Sequence, residues 1–296
     1  MCFPVVKSAV VTCDIEIHQS KYISDLVDKF LPDIKSLNIL RDTPALADRF
    51  GKLGKAESDE ERERMRSKPY MQLIGSLLYL STMCRPDIAY HLSVLCRFMG
   101  NPSEECFNQA LHVLVYLHKT KHLKIRYSRN FHIPGTFWEV RDNIGSNMGF
   151  HTLSDSSWGV PNPTYGHVTF MAGGPISWIA KNLKSADSSC EAEYSAVSKA
   201  ARDITFIRHV CEDLGYMLKD ALPIGVDNTA AIDVAYNLGV TARNKHYDRE
   251  MHYIREQVAH AKNKLLHVRT EFQTADIFTK CLEKVAFIRH RETLFV

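Results

Sequence analysis

Four acidic positions in the second half of the 296-residue chain are the strongest candidates for chemistry. Asp155 ends a predicted strand, Asp227 ends another, and Asp276 opens the last predicted helix. The fourth position lies on a long predicted helix, where Glu191 and Glu193 are both available. All of these side chains end in a carboxylate, which is a ligand for hard divalent cations and a general acid or base.

Carboxylates that converge on one point repel one another, and they stay ionised only when cations lie between them. Two Mg²⁺ ions about 3.5–4 Å apart would meet this need, and such a pair can bind both the attacking water and the leaving oxygen of a phosphodiester. Mg²⁺ prefers carboxylates and water as ligands, so no Cys or His is required. The four positions therefore predict metal-assisted phosphodiester hydrolysis, with Mn²⁺ as an alternative to Mg²⁺.

Helical geometry distinguishes Glu191 from Glu193. Residues two apart point about 200° away from each other around a helix of ~3.6 residues per turn. Glu193 shares its face with an apolar stripe that must rest on the sheet, formed by Ala196, Val197, Ala200 and Ile204. The residues on the face of Glu191 are polar and predicted to face solvent: Ser195, Ser198 and Arg202. Ser188 with Glu191 also fits a capping box, so Glu193 is the predicted inward carboxylate.

The elements that would position these carboxylates mix strands and helices from about residue 149 onwards. Three antiparallel strands followed by βα units predict a mixed sheet with helices on its faces. Gly173-Gly174 predicts the hairpin between the second and third strands. The predicted strands are 150–154, 165–171, 176–180, 223–226 and 265–269, and the predicted helices are 189–214, 229–236, 247–262 and one that starts near 274.

The first half of the chain predicts helices rather than a large sheet. β-Branched residues over 5–17 indicate a short strand or hairpin, and Ser20 is the expected cap of the next helix. Residues 51–69 are dense in charge, which predicts either a solvated linker or an exposed helix. Apolar residues at helical spacing predict three packed helices over 70–118, the third capped by Ser103.

Composition and local pattern exclude several classes of protein. Net charge is only +3, and the 45% hydrophobic and 24% charged residues are ordinary for a globular chain. The eight cysteines form no CxxC pair and no Cys/His quartet, which argues against a zinc ribbon or a disulfide scaffold. The longest apolar run, 73–83, is too short to span a bilayer, and the first residues lack a secretory pattern. We expect an intracellular protein without a membrane partner.

A series of segments occurs in the order found in one known family. In the first half these are QSKYISDLVDKF, YMQLIGSLLYLSTMCRPDIAYHLSVLCRF and ALHVLVYLHKTKHL. In the second half they are LSDSSWG, GGPISWIAKNL, SSCEAEYSAV, VDNTAAI, RNKHYDREMHYIRE and TEFQTADIFTKCL. With these segments the chain resembles copia-type retrotransposon Pol polyproteins, in the part that spans the end of the reverse transcriptase and the ribonuclease H (RNase H) domain.

The resemblance implies an α/β, RNase H-like fold for residues 149–285, a mixed five-stranded sheet with helices. It implies metal ligands at Asp155, Glu193, Asp227 and Asp276, and cleavage of the RNA strand of RNA–DNA hybrids with two Mg²⁺ ions. A small helical thumb or connection region of the reverse transcriptase is expected before this domain. The remaining expected boundaries are the end of the palm and start of the thumb at 1–50, a charged linker at 51–69, the thumb or connection at 70–130, a linker at 131–148 and a tail at 286–296.

The polymerase aspartates of the family belong upstream of this segment, so the resemblance implies no DNA polymerase activity. The missing polymerase part is an expected partner, beside an RNA–DNA hybrid, in a cytoplasmic virus-like particle or in the nucleus. The rival hypothesis is a catalytically inactive remnant that binds nucleic acid. A further rival is a nuclease of the same fold that acts on DNA.

Two basic segments are candidates for contact with a phosphate backbone. One is the run after the third packed helix, with Lys119, Lys121, Lys124 and Arg126. The other lies in KHYDREMHYIRE, with Lys245, His246 and His252. A solvated helix end and a hydrogen-bonded surface helix remain the alternatives for these segments.

Overall fold

A computed structural model describes residues 7–9, 14–32, 41–129, 131, 147–158, 163–183, 188–236 and 248–295. The chain divides into two compact units. The first combines residues 1–11, 15–126 and 281–296, and the second combines residues 12–14 and 127–280.

The helices and strands follow one another along the chain with these bounds. The helices are α1 (Ser20–Phe30), α2 (Ala47–Phe50), α3 (Asp59–Arg66), α4 (Tyr70–Met83), α5 (Ala89–Leu95), α6 (Glu104–Lys119), α7 (Ser189–Asp213), α8 (Thr229–Tyr236), α9 (Asp248–Ala259) and α10 (Lys284–Leu294). The strands are β1 (Lys7–Ala9), β2 (Asp14–Ile17), β3 (Ile125–Tyr127), β4 (His151–Ser157), β5 (Thr164–Met171), β6 (Gly174–Asn182), β7 (Leu222–Val226) and β8 (Asn263–His267). Short 3₁₀ helices occupy Pro86–Ile88, Cys96–Phe98, Thr270–Phe272 and Thr274–Phe278.

Helices α4, α5 and α6 in the first unit confirm the three predicted packed helices. Ser103 caps α6, because its hydroxyl accepts a hydrogen bond from the backbone N–H of Cys106 at 3.3 Å. Ser20 is the first helical residue of α1 rather than its cap, and Gln19 takes the cap position. The charged stretch 51–69 contains the exposed helix α3, which is one of the two predicted alternatives.

The last residues of the chain form a helix, where the sequence analysis expects a tail at 286–296. Helix α10 belongs to the first unit and buries Phe287, His290 and Leu294. These residues stand at the i, i+3, i+7 spacing of a helix face, which the interpretation of the sequence missed. Residues 281–283 join the same unit, so the second unit ends at Lys280 rather than at 285.

The second unit contains the predicted five-stranded mixed sheet, with the strand order β6-β5-β4-β7-β8. β4, β5 and β6 are antiparallel, whereas β7 runs parallel to both β4 and β8. The predicted hairpin joins β5 to β6 through Ala172 and Gly173, which both have positive φ, as two-residue hairpins favour. The α/β fold class is therefore confirmed.

Helix α7 packs its apolar stripe on the sheet, and Val197 and Ile204 share a buried core cluster with Ile224 of β7. The polar face differs in part from its prediction, because Ser198 is fully buried and Ser195 is nearly so, whereas Arg202 is exposed as predicted. The cause is helix α9, which packs on this side of α7. Glu250 of α9 accepts a hydrogen bond from the Ser195 hydroxyl.

The predicted last helix near Thr274 is also different in the structure. Residues Thr274–Phe278 form a tight 3₁₀ helix, and the next α-helix begins only at Lys284. Ala275, Ile277 and Phe278 are all completely buried, so the segment is covered by protein on every side and does not have the single apolar face of a surface helix.

Among the described residues, no helix combines the length and apolar character needed to cross a membrane. Every cysteine of the described residues is a free thiol. Cys2 and Cys13 lie outside them, as do most residues of the expected linker at 131–148.

Candidate metal centre

The parallel strands β4 and β7 bring two of the predicted carboxylates to one edge of the sheet. Asp155 lies near the end of β4, two residues before Ser157, rather than at the end of the strand as predicted. Asp227 directly follows β7, as predicted. Glu193 in the second turn of α7 completes the group: a carboxylate oxygen from each of the three lies within 4.8 Å of the other two.

Glu193 points into this cluster and Glu191 has a different role. Glu193 is buried, its Oε1 accepts a weak hydrogen bond from the Ser156 N–H at 3.4 Å, and its Oε2 has no partner among the described residues. The backbone N–H of Glu191 donates to the Ser188 hydroxyl at 3.2 Å, which is the predicted N-terminal cap of α7. Glu193, which helical periodicity predicts to point inward, is thus the glutamate that the structure brings to the cluster.

Asp276 is joined to the cluster through Lys280. The Lys280 ammonium lies 3.0 Å from Oδ1 of Asp276 and 3.5 Å from Oδ2 of Asp155. The hydroxyl of Thr279, next to this lysine, donates a hydrogen bond to the same Oδ2 of Asp155. The fourth predicted carboxylate therefore lies beside the cluster of three, with the Lys280 ammonium between Asp276 and Asp155.

The electrostatics of the site show an excess of negative charge. Burial, followed by the charges of Asp276 and Glu193, raises the pKa of Asp155 well above its usual value, against the opposing effect of Lys280. Burial and the charge of Asp227 raise the pKa of Glu193 to about 7. One lysine therefore does not neutralise the buried carboxylates. An all-oxygen donor set with a buried, unpartnered carboxylate oxygen fits a divalent cation such as Mg²⁺.

Several supporting residues were missed by the sequence analysis. Thr270 donates its hydroxyl hydrogen bond to Asp227 at 3.2 Å. Gly166 of β5 lies opposite Asp155, and a Cβ atom at this glycine would stand 2.4 Å from the Cβ of Phe278. Only glycine therefore lets the segment of Asp276 pack so closely on β5. Thr270, Thr279 and Lys280 all belong to the segment TEFQTADIFTKCL, which is the local sequence signal that could have indicated them.

The predicted nucleic-acid contacts remain predictions. Lys119 forms an ion pair with Asp42, and Lys124 forms one with Glu16 at 2.8 Å. These pairs offset part of the positive charge of the run, whose other members Lys121 and Arg126 are partly exposed. Among the remaining candidates, His252 is exposed on α9, and Lys245 and His246 lie outside the described residues.

Comparison with known proteins identifies relatives that match most of the chain. No protein-family model matches it. The retrovirus-related Pol polyprotein from transposon RE2 of Arabidopsis thaliana is 31% identical over 223 residues, which are 74% of this chain and 14% of that polyprotein. The Pol polyprotein from transposon TNT 1-94 of Nicotiana tabacum is 29% identical over 274 residues, 91% of this chain and 19% of the relative. The chain thus spans less than a fifth of the length of these relatives.

Solved structures that are similar to part of the chain include ribonucleases H. LC11-RNase H1, solved in complex with an RNA/DNA hybrid, is 14% identical over 44% of this chain and 92% of its own, with a TM-score of 0.34. RNase H1 from the archaeon Halobacterium salinarum is 18% identical, with the same coverage and TM-score. Similarity at these scores says nothing about activity. The fold is assigned from the order and directions of the five strands. The chain is a homologue of the retrovirus-related Pol polyproteins of copia-type transposons, and its second unit has an RNase H-like fold.

Proposed function

We propose that the second unit is a metal-dependent endoribonuclease that cleaves the RNA strand of RNA–DNA hybrids, as the RNase H part of a longer Pol polyprotein. The observation that carries this proposal is the cluster of Asp155, Glu193 and Asp227, whose carboxylate oxygens lie within 4.8 Å of one another, with Asp276 beside it. The homology to Pol polyproteins supports the hybrid as substrate. It also supports a polymerase part of the same polyprotein as a partner.

The carboxylates of Asp155, Glu193, Asp227 and Asp276 would hold two Mg²⁺ ions. Bound there, the ions supply Lewis-acid stabilisation of the phosphodiester and lower the pKa of water. Thr279 and Thr270 orient the carboxylates of Asp155 and Asp227 through their hydroxyl hydrogen bonds. The burial of Asp155 and Glu193 excludes bulk water, which strengthens their attraction for cations. The expected products carry a 3′-hydroxyl on the cleaved RNA.

Lys280 has a separate electrostatic role in this proposal. Burial opposes its charge, but the carboxylates of Asp155 and Asp276 raise its pKa, so it stays protonated at neutral pH. A fixed ammonium between two carboxylates reduces their mutual repulsion at the distances observed here.

The test of the proposal is cleavage of a labelled RNA–DNA hybrid by the purified chain, with Mg²⁺, with Mn²⁺ and with EDTA. We expect cleavage that requires metal and leaves single-stranded RNA and duplex DNA intact. Asp155→Asn should lower the rate by about 10³-fold, since a metal ion contributes several kcal/mol to such a reaction. Asp213→Asn is the matched control, because Asp213 is exposed at the far end of α7.

Three outcomes would contradict the proposal. Equal rates in the unaltered chain and Asp155→Asn would remove the carboxylate cluster from the reaction. Binding of the hybrid without metal-dependent cleavage would favour the inactive nucleic-acid-binding remnant. Cleavage of duplex DNA in preference to the hybrid would favour a DNA nuclease on the same fold.

A further inference from the structure

The neighbouring strands β4 and β7 stop pairing with each other just before the aspartates that follow on each strand. β4 and β7 pair in parallel at Thr152 with Ile224 and at Leu153 with Gly225. Asp155 and Asp227 each stand two residues beyond the last of these pairs. β5 still pairs with β4 at Asp155, and β8 still pairs with β7 at Val226, but the β4–β7 ladder does not reach the two aspartates. A contact between β4 and β7 beyond the ladder would therefore help to fix the separation of these aspartates.

The side chain of Gln273 lies at this position between the strands. Its Nε2 donates hydrogen bonds to the carbonyl oxygen of Ser154 at 3.0 Å and to that of Gly225 at 3.5 Å. Ser154 directly precedes Asp155, and Gly225 stands two residues before Asp227. One amide group thus bridges the backbones that carry both aspartates, and it is completely buried while doing so.

Gln273 is also tied to the third aspartate. Its backbone carbonyl accepts a hydrogen bond from the N–H of Asp276 at 3.0 Å, at the start of the 3₁₀ helix Thr274–Phe278. Through side chain and backbone, Gln273 therefore contacts all three segments that carry Asp155, Asp227 and Asp276.

The Gln273 side chain also destabilises the folded state through its second polar atom, so a contribution to stability does not by itself account for a glutamine here. Its Oε1 is buried and has no hydrogen-bond partner among the described residues. A buried, unpaired acceptor costs about 1–3 kcal/mol. An apolar side chain would avoid this cost, but it would lose the bridge between Ser154 and Gly225.

We propose that Gln273 is a positioning residue that fixes the separation of Asp155, Asp227 and Asp276 for divalent metal binding, an inference that rests on the proposed function. Replacement of a residue that holds metal ligands in position through hydrogen bonds typically lowers the metal affinity by about 10–100-fold. Gln273 acts on the backbone of the ligands rather than on their carboxylates, so its loss should displace them without removing charge.

The test compares Gln273→Met with Thr169→Val in the full chain. Met matches the length of Gln but has no N–H to donate. Thr169→Val is a matched control, because it also removes a buried hydrogen bond from this sheet, to the Thr152 hydroxyl at 2.9 Å. Mn²⁺ affinity is measured by calorimetry, amide hydrogen exchange by mass spectrometry, and the melting temperature by circular dichroism.

We expect Gln273→Met to bind Mn²⁺ about 10–100-fold more weakly than the unaltered chain. Hydrogen exchange should become faster at residues 154–156 and 226–228, while the β5–β6 hairpin stays protected. Thr169→Val should keep the Mn²⁺ affinity of the unaltered chain, even if its melting temperature falls as far. Unchanged Mn²⁺ affinity in Gln273→Met, or an equal loss in both variants, would overturn the proposal.

Failure of the proposed function gives a different result from failure of this inference. An unaltered chain that binds Mn²⁺ but does not cleave the hybrid rejects the RNase H activity, while the comparison of affinities still decides the role of Gln273. If the unaltered chain binds no Mn²⁺, the metal centre itself is rejected and the positioning role is overturned with it.

Discussion

At the scale of one residue, Glu193 shows how the cluster of carboxylates lowers the stability of the folded state. Its carboxylate is buried next to Asp227, and its pKa rises from 4.5 to about 7. Ionised groups are stabilised by water or by cations, and this one has an oxygen without a partner among the described residues. A buried acid that titrates near neutral pH is typical of a functional site rather than of a structural ion pair.

The pH dependence of stability follows from the direction of this shift. The folded state binds the proton of Glu193 more tightly than the unfolded state does, so the protonated form favours folding. Its contribution is complete below pH 4.5 and is lost as the pH rises through about 7. At about 1.4 kcal/mol per pKa unit, the loss is on the order of 3 kcal/mol in the absence of divalent metal.

Urea unfolding in EDTA at pH 5 and at pH 8 measures this effect. The unaltered chain should be less stable at pH 8, and Glu193→Gln should reduce the difference, because glutamine does not ionise. Part of the difference should remain, since Asp155 also has a raised pKa. The same pH dependence in both proteins would contradict the assigned burial and charge of Glu193.

Individual residues of the site differ in how far the sequence reveals them. Glu193 could be chosen over Glu191 because helical periodicity alone separates their faces. Lys280 could not be assigned in this way, since its partner Asp155 is far away in sequence and only the sheet brings the two together. Residues such as Gln273 act through backbone carbonyls, which leave no pattern of residue types to recognise.

At the scale of elements, the 3₁₀ helix Thr274–Phe278 determines where Asp276 lies. The sequence predicts an α-helix here, because Thr-Ala-Asp-Ile-Phe contains no helix breaker. Tertiary contacts override this local preference, as the segment packs against β5 at Gly166 with almost no space between them. By contrast, the strands of the sheet could be predicted, because β-branched and apolar runs bounded by turns are local signals.

Gly166→Ala tests this close packing. The added Cβ would lie 2.4 Å from the Cβ of Phe278, so the 3₁₀ helix or β5 must move. We expect a loss of about 1–3 kcal/mol in the free energy of unfolding, as in other overpacked cores. Mn²⁺ binding should weaken as well, because Asp276 moves with the segment.

Gly75→Ala is the matched control, measured by urea unfolding and calorimetry. Gly75 lies in α4, and nothing stands within 4 Å of a Cβ atom there. The same substitution should raise helix stability by about 0.8–1 kcal/mol at this site. If Gly166→Ala proved as harmless as Gly75→Ala, the tight packing of the Asp276 segment would be refuted.

At the scale of the whole molecule, the first unit is discontinuous in sequence. Helix α10 is assigned to it together with residues 15–126, although residues 127–280 of the second unit lie between them in the chain. Phe287 of α10 is buried with its ring edge-on to His91 and Tyr116, at centroid distances of 6.2 and 5.7 Å. Local periodicity predicted α1, α4, α5 and α6 of this unit, but no local signal could indicate that a last helix returns to it from the C-terminal end.

Phe287→Ala tests the place of α10 in the first unit. Truncation of a buried phenylalanine should cost about 3–5 kcal/mol, and amide hydrogen exchange should become faster in α5 and α6. Val285→Ala is the control on the same helix, since Val285 is 73% exposed and should change stability very little. Equal effects of the two variants would show that α10 does not pack on this unit in solution.

The most direct test of the central claim is the rate of Mg²⁺-dependent hybrid cleavage in Glu193→Gln compared with Glu191→Gln. The two glutamates lie on the same helix, two residues apart, and the substitutions are chemically identical. Glu193→Gln should lower the rate by about 10³-fold, because it removes a ligand from the metal centre. Glu191→Gln should leave the rate nearly unchanged, since Glu191 is not a member of the carboxylate cluster and the substitution keeps its backbone N–H bond to Ser188. Equal rates in the two variants, or a greater loss in Glu191→Gln, would contradict the assignment of the carboxylate cluster as the catalytic metal centre.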